Sequence, residues 1–138
     1  MTVPSFVHLR LHSEYSIVDS TLRIADAVKL AAKDDQVALA ITDLNNLFGF
    51  VKFYKAARAK GIKPVCGVDA WIEAPDPAHE PSRVLFLAES HAGYLKLCDW
   101  LTRAFRENQQ RGRALIRREW LADPTDTEGV FCLSGGWY

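Results

Sequence analysis

Val37-Ala38-Leu39-Ala40-Ile41-Thr42-Asp43 is an apolar run that stops on a carboxylate. It has no polar face, so it reads as a strand covered on both sides, as in a parallel sheet. Helical periods flank it. Leu22 to Asp34 places Ile24, Val28 and Ala31 at i, i+4 and i+7, and Ser20 or Thr21 can cap the start. Phe48 to Lys60 carries a stripe of Phe50, Tyr54 and Ala57, with Gly61 suited to the position just past a helix end. Working outward, residues 6–12 read as a strand before the first helix. Ile62–Glu73 reads as a strand after the second, with Pro64 near its start, where a missing N–H costs least.

The remainder repeats the theme less regularly. Ala74–Pro81, with three prolines, reads as a loop, and Val84–Ala88 as a fourth strand. His91 to about Gln109 is the longest helical period, with Tyr94, Cys98, Leu101 and Phe105 on one face. Arg111–Arg113 is a loop around Gly112, Arg117–Leu121 a further helical turn, and Gly129–Ser134 a fifth strand ended by Gly135-Gly136. The order β-α-β-α-β-loop-β-α-β predicts a parallel α/β architecture. A closed eight-stranded barrel takes roughly 250 residues. The expectation is therefore a partial parallel β/α barrel over 1–138, a single incomplete domain cut from a longer polypeptide.

Composition narrows the function classes. The chain has 138 residues, 49% hydrophobic and 25% charged, with a formal net charge of zero. A whole-molecule attraction to nucleic acid or anionic lipid is not indicated. One stretch is uneven: Arg103, Arg106, Arg111, Arg113, Arg117 and Arg118 face only Glu107. Such a run is ordinarily a solvated face, and it is also where a nucleic-acid or partner surface would lie. Cys66, Cys98 and Cys132 show no CxxC spacing and read as reduced thiols of a cytoplasmic protein. No apolar run approaches the roughly 20 residues that cross a bilayer.

His12, Asp19, Asp43 and Asp69 each follow an apolar run. Loops after the strands of a parallel sheet converge on one face, so these four side chains look like part of a metal site. Asp43 is favoured as a cap for the helix near Leu47, and Asp19 either caps the helix near Ser20 or lines the site. His8, His79 and His91 lack partner spacing and read as structural or surface residues, and the tryptophans as core or as residues exposed where the chain is cut.

His8-Leu9-Arg10-Leu11-His12-Ser13-Glu14-Tyr15-Ser16-Ile17-Val18-Asp19 resembles the opening motif of PHP (polymerase and histidinol phosphatase) domains. Thr42-Asp43-Leu44-Asn45-Asn46-Leu47-Phe48-Gly49 resembles the second motif. Phe53-Tyr54-Lys55-Ala56-Ala57, Gly61 through Asp69, Leu87 through Leu97 and Leu133-Ser134-Gly135-Gly136 continue the likeness in order. The form they resemble is the one at the N-terminus of bacterial DNA polymerase III alpha subunits. The resemblance implies a distorted barrel whose strand ends can hold metal ions that activate water against phosphoesters.

The sequence departs from that pattern at the ligands. Arg10 replaces the first histidine of the opening pair, and Leu44 replaces the histidine after Asp43. Asp69 stands for a glutamate, Arg83 for a histidine, and Gly136 for a cysteine. His12, Asp19 and Asp69 remain able to ligate. Arginine cannot ligate a cation but can supply its charge, so Arg10 is expected to pair with Asp19 or Asp69 in the vacated site. The resemblance then implies a catalytically silent, cofactor-free scaffold. It would dock the proofreading exonuclease subunit and other polymerase III holoenzyme subunits, while the parent polymerase transfers nucleotides with Mg²⁺ bound elsewhere. The alternatives are an active metal-dependent PHP phosphoesterase or exonuclease, and a binding module working through the arginine run.

Overall fold

A computed structural model describes residues 6–134. Gly135, Gly136 and Trp137 lie outside that range. The elements are α1 (Ile24–Lys33), β1 (Ala38–Ile41), α2 (Phe50–Ala59), β2 (Lys63–Ile72), β3 (Ser82–Ala88), α3 (His91–Glu107), β4 (Gln109–Gln110), β5 (Arg113–Ala114), a 3-10 turn (Arg118–Leu121), α4 (Pro124–Thr127) and β6 (Val130–Ser134). The main sheet runs β1-β2-β3-β6. The α/β class stands, but the sheet is mixed rather than parallel. Only β1 and β2 are parallel, while β2–β3 and β3–β6 are antiparallel.

The connections explain this correction. A parallel return needs a crossover of a dozen or more residues. The proline-bearing segment 73–81 is shorter and holds no helix, so β3 turns straight back along β2. After β3 the chain crosses the sheet twice. The helix α3 carries it to the β4–β5 hairpin, and residues 115–128 bring it back to the start of α3. There Lys96 Nζ donates to the carbonyls of Thr125 (2.6 Å) and Glu128 (2.9 Å). A Cβ on Gly93 would stand 1.9 Å from the Gly129 carbonyl oxygen, so the two backbones meet only because neither residue has a side chain. From there β6 departs antiparallel to β3.

Period-2 alternation sorts the sheet into two faces. Leu39 and Ile41 of β1 pack with Ile24, Val28 and Ala31 of α1 and Phe53 and Ala57 of α2. Val68, Ala70 and Ile72 of β2 and Phe86 of β3 pack with Leu97, Trp100, Leu101 and Ala104 of α3 and with Trp120. The helices thus cover one face. The other face carries Ala40, Leu85 and Leu87, with Val65 against them. It also carries Asp69, Trp71 and Arg83.

Several local expectations need correcting. Residues 6–12 form no strand. The segment lies along β1, where His8 and Leu11 carbonyls accept from Ala40 and Thr42 N–H (3.0 and 2.9 Å). Leu11 N–H donates to the Thr42 hydroxyl instead of a backbone carbonyl (2.8 Å), so the ladder stays irregular. Neither Ser20 nor Thr21 caps α1, which starts after Arg23. Ser20 Oγ donates to the His12 carbonyl (2.8 Å) and accepts from Leu22 N–H (3.2 Å). On α2 the buried residues are Phe53 and Ala57, while Tyr54 is exposed. On α3 they are Gly93, Leu97, Trp100, Leu101 and Ala104, and Phe105 is exposed. The Gly93 contact sets that rotation. The expected loop at Arg111–Arg113 is a tight hairpin, with φ of 51° at Arg111 and 78° at Gly112. Left-handed backbone at both central positions suits a two-residue turn between twisted strands.

Candidate functional site

The partner exchange of β2 builds the site. Residues Lys63–Cys66 pair with β1, and Gly67–Ile72 pair with β3. At the switch Gly67 lies so close to β3 that a Cβ would stand 2.5 Å from the Phe86 carbonyl oxygen. The loop after β1 keeps following β2 beyond this point. Asp69 N–H donates to the Asp43 carbonyl (3.1 Å), and Asn45 N–H donates to the Asp69 carbonyl (2.7 Å). Asp69 is therefore inside a strand, as the reading of 62–73 requires, and not on a loop following one. It is within β2, fully buried, at the mouth where the two pairings diverge.

Three cationic or cation-capable side chains converge on Asp69. Oδ2 accepts from Arg10 Nε (3.0 Å), Arg10 Nη2 (2.6 Å) and Arg83 Nη2 (2.7 Å). His12 Nε2 lies 2.9 Å from the same oxygen, and Arg83 Nε reaches Oδ1 at 3.4 Å. The other ring nitrogen of His12, Nδ1, lies 3.0 Å from both carboxylate oxygens of Asp19. Asp19 thus lines the site and does not cap α1. The bond to Asp69, then the contact with Asp19, raise the His12 pKa against the opposing effect of burial. Burial alone would lift the Asp69 carboxyl. The bonds from His12, Arg83 and Arg10 outweigh it and hold the group below its ordinary value.

Asp43 has a different task from the expected helix cap. Its Oδ1 accepts from Ser13 N–H (2.6 Å) and Ser16 Oγ (2.7 Å), and its Oδ2 accepts from Ser13 Oγ (2.7 Å). Ser16 Oγ in turn accepts from Leu44 N–H (2.9 Å). This buried knot fixes the 13–20 loop that presents Asp19. The helix entry is served by Asn46, whose Oδ1 accepts from Phe48 N–H (3.2 Å). Ser13 and Ser16 were not singled out from sequence; their spacing from His12 carried no signal of its own. Trp71, to which the sequence assigned no part in the site, stands directly beside Arg83.

Sequence reasoning nominated scattered positions, and the structure brings together Arg10, His12, Asp19, Asp69 and Arg83. Leu44 is bridged to Asp69 at the rim of the cluster. Gly136 lies outside the described residues. A divalent cation does not fit this donor set. It would have to share the Asp69 carboxylate with two guanidinium groups that cannot lose their charge. Among the described residues, no group of three or more His, Cys, Asp or Glu side chains is arranged to hold a metal ion.

The arginine run lies elsewhere. Arg103 stacks 4.1 Å above Trp120 and reaches Asp99 at 3.7 Å. Arg113 lies 4.5 Å from the Trp71 ring centre, and Arg111 and Arg113 both approach Glu80, at 3.5 and 3.4 Å. Arg117 pairs with Glu119 at 3.5 Å. Arg106 lies in the last turn of α3, and Arg118 opens the 3-10 turn. Four of the six thus have acidic neighbours. Cys66 is buried, its thiol pushed up to about 12 by desolvation, while Cys132 is exposed. Among the described residues no helix is long and apolar enough to cross a membrane.

A mixed sheet with helices on one face, whose strand mouth gathers His, Asp and Arg, points to one class of protein. The PHP domain family matches residues 8–138, and the chain belongs to it. The chain is similar to the DNA polymerase III subunit alpha of Pseudomonas fluorescens, 45% identical over 130 residues, covering 94% of this chain and 11% of that one. The subunit of the same name from Escherichia coli K12 is 40% identical over 136 residues, covering 99% and 12%. The chain therefore spans only about a tenth of these relatives. Among solved structures, an amidohydrolase from Chromobacterium violaceum, with bound SO4 and no metal, superposes with a TM-score of 0.56 at 22% identity, covering 71% of this chain and 32% of that one. That likeness concerns the fold alone.

Proposed function

We propose that the chain is the opening PHP segment of a replicative DNA polymerase alpha subunit, serving there as a metal-free scaffold in the cytoplasm. Similarity to polymerase III alpha subunits over nearly the whole chain supports the parentage. The observation that carries the silent role is the pair of guanidinium groups on Asp69. An uncompensated buried carboxylate would cost several kcal/mol. Arg10 and Arg83 supply the compensating charge permanently, so the fold no longer depends on a metal, and no metal-bound water is generated to attack a phosphoester. The Mg²⁺-dependent nucleotide transfer belongs to carboxylates of the parent outside this segment. What remains for the segment is to hold shape and to dock partners, the proofreading exonuclease subunit first among the polymerase III holoenzyme subunits.

Two measurements test this. Calorimetric titration of the chain with Mn²⁺ or Zn²⁺ is expected to give no tight binding, and micromolar affinity would restore the phosphoesterase reading. In the full-length polymerase, removing residues 1–138 is expected to abolish co-purification of the exonuclease subunit. Undiminished co-purification would sink the docking role.

A further inference from the structure

We propose that Trp71 is a positioning residue that fixes the Arg83 guanidinium on Asp69, an assignment that rests on the metal-free reading above. Trp71 and Arg83 are directly opposed in the β2–β3 register, with Asp69 one step along the same face. The Arg83 Cζ lies 5.3 Å from the Trp71 ring centre while its Nη2 bonds Asp69 Oδ2 at 2.7 Å. One guanidinium is thus shared between an aromatic ring and a carboxylate. The Arg83 side chain is 7% exposed, so little water screens either attraction.

The two arginines on Asp69 are not equivalent. Arg10 comes from the irregular 6–12 segment, and its side chain is 31% exposed. Arg83 comes from a regular strand and is set in place by a cross-strand neighbour. The geometry therefore makes Arg83 the more rigidly placed of the two stand-ins for a cation, with Trp71 selecting its rotamer. Arg113 of β5 approaches the same ring at 4.5 Å and carries its own acidic neighbour Glu80 at 3.4 Å, so the ring is held from a second element as well.

The test follows the Arg83 Nε–H by ¹⁵N nuclear magnetic resonance in the 138-residue chain, with the Arg10 Nε–H as internal comparator on the same carboxylate. Trp71→Leu is expected to speed hydrogen exchange at Arg83 by about tenfold relative to Arg10, the factor that a desolvated cation–π contact would supply. Trp71→Phe keeps an aromatic face and is expected to restore most of the protection. A Trp that merely fills space would loosen both arginines alike. Equal acceleration at both, or none at Arg83, overturns the assignment. If Trp71→Leu does not fold, Trp71→Phe alone decides: a smaller acceleration confined to Arg83 supports it, and no difference between the two arginines overturns it. Tight Mn²⁺ binding by the unaltered chain would instead defeat the metal-free reading itself, so the two failures are distinguishable.

Discussion

A single carboxylate organises the cluster, and its removal has a definite cost. Asp69→Asn leaves two guanidinium groups and an imidazole facing a neutral amide. The expected loss is about 3–5 kcal/mol, the range for breaking a buried ion pair from one side, read from urea unfolding. The pH dependence follows from two opposed shifts. His12 is raised above its ordinary value of 6.5, so its contribution is fully present below that value and fades as pH rises through the higher folded value. Asp69 is lowered below its ordinary value of 3.8, so its contribution is present above 3.8 and is lost as pH falls through the lower folded value. Melting temperatures should decline on both sides; His12→Gln should flatten the alkaline limb and, by removing one of the bonds that lower Asp69, also weaken the acid limb. The gathering of Arg10 and Asp69 was legible because the departures from the family pattern put a fixed cation where a ligand belonged. The role of Asp43 was not. Its partners Ser13 and Ser16 are ordinary loop residues until the chain folds them onto a carboxylate some 30 positions away.

Among the elements, the three long helices and four of the five expected strands were readable from periodicity, residues 6–12 being the exception, while rotation was not. Of the α3 stripe that the sequence offers, Tyr94, Cys98, Leu101 and Phe105, only Leu101 is fully buried; with Gly93 against the Gly129 carbonyl, the helix turns Leu97, Trp100 and Ala104 toward the sheet beside it. A glycine has no hydropathy to reveal such a contact. The direction of β3 was overlooked rather than hidden: the short proline-bearing loop before it leaves no room for the crossover a parallel return needs. The close approach makes a sharp prediction. Gly93→Ala places a methyl 1.9 Å from the Gly129 carbonyl oxygen, so α3 and the 128–130 turn must separate. The expected cost is about 1–3 kcal/mol or more, as for overpacking, and thermal unfolding would show it. Gly112→Ala, in open space, should cost only about 1 kcal/mol through its positive φ.

At the scale of the whole molecule, a formal net charge of zero and mostly neighbour-balanced arginines predict weak, nonspecific contact with DNA. Reversing Arg111 and Arg113 to glutamate should leave DNA retention by the chain unchanged. A steep salt slope in the unaltered chain, lost in the double variant, would show a phosphate-binding face instead.

The sheet's last strand, Val130-Phe131-Cys132-Leu133-Ser134, has neither a charge nor a proline, and Phe131 and Leu133 are 56% and 41% exposed. Natural edges carry lysine, proline or bulges as gatekeepers against sticking to one another. Lacking them, this border should make concentrated solutions of the chain cloudy, and a single lysine at position 133 should keep them clear.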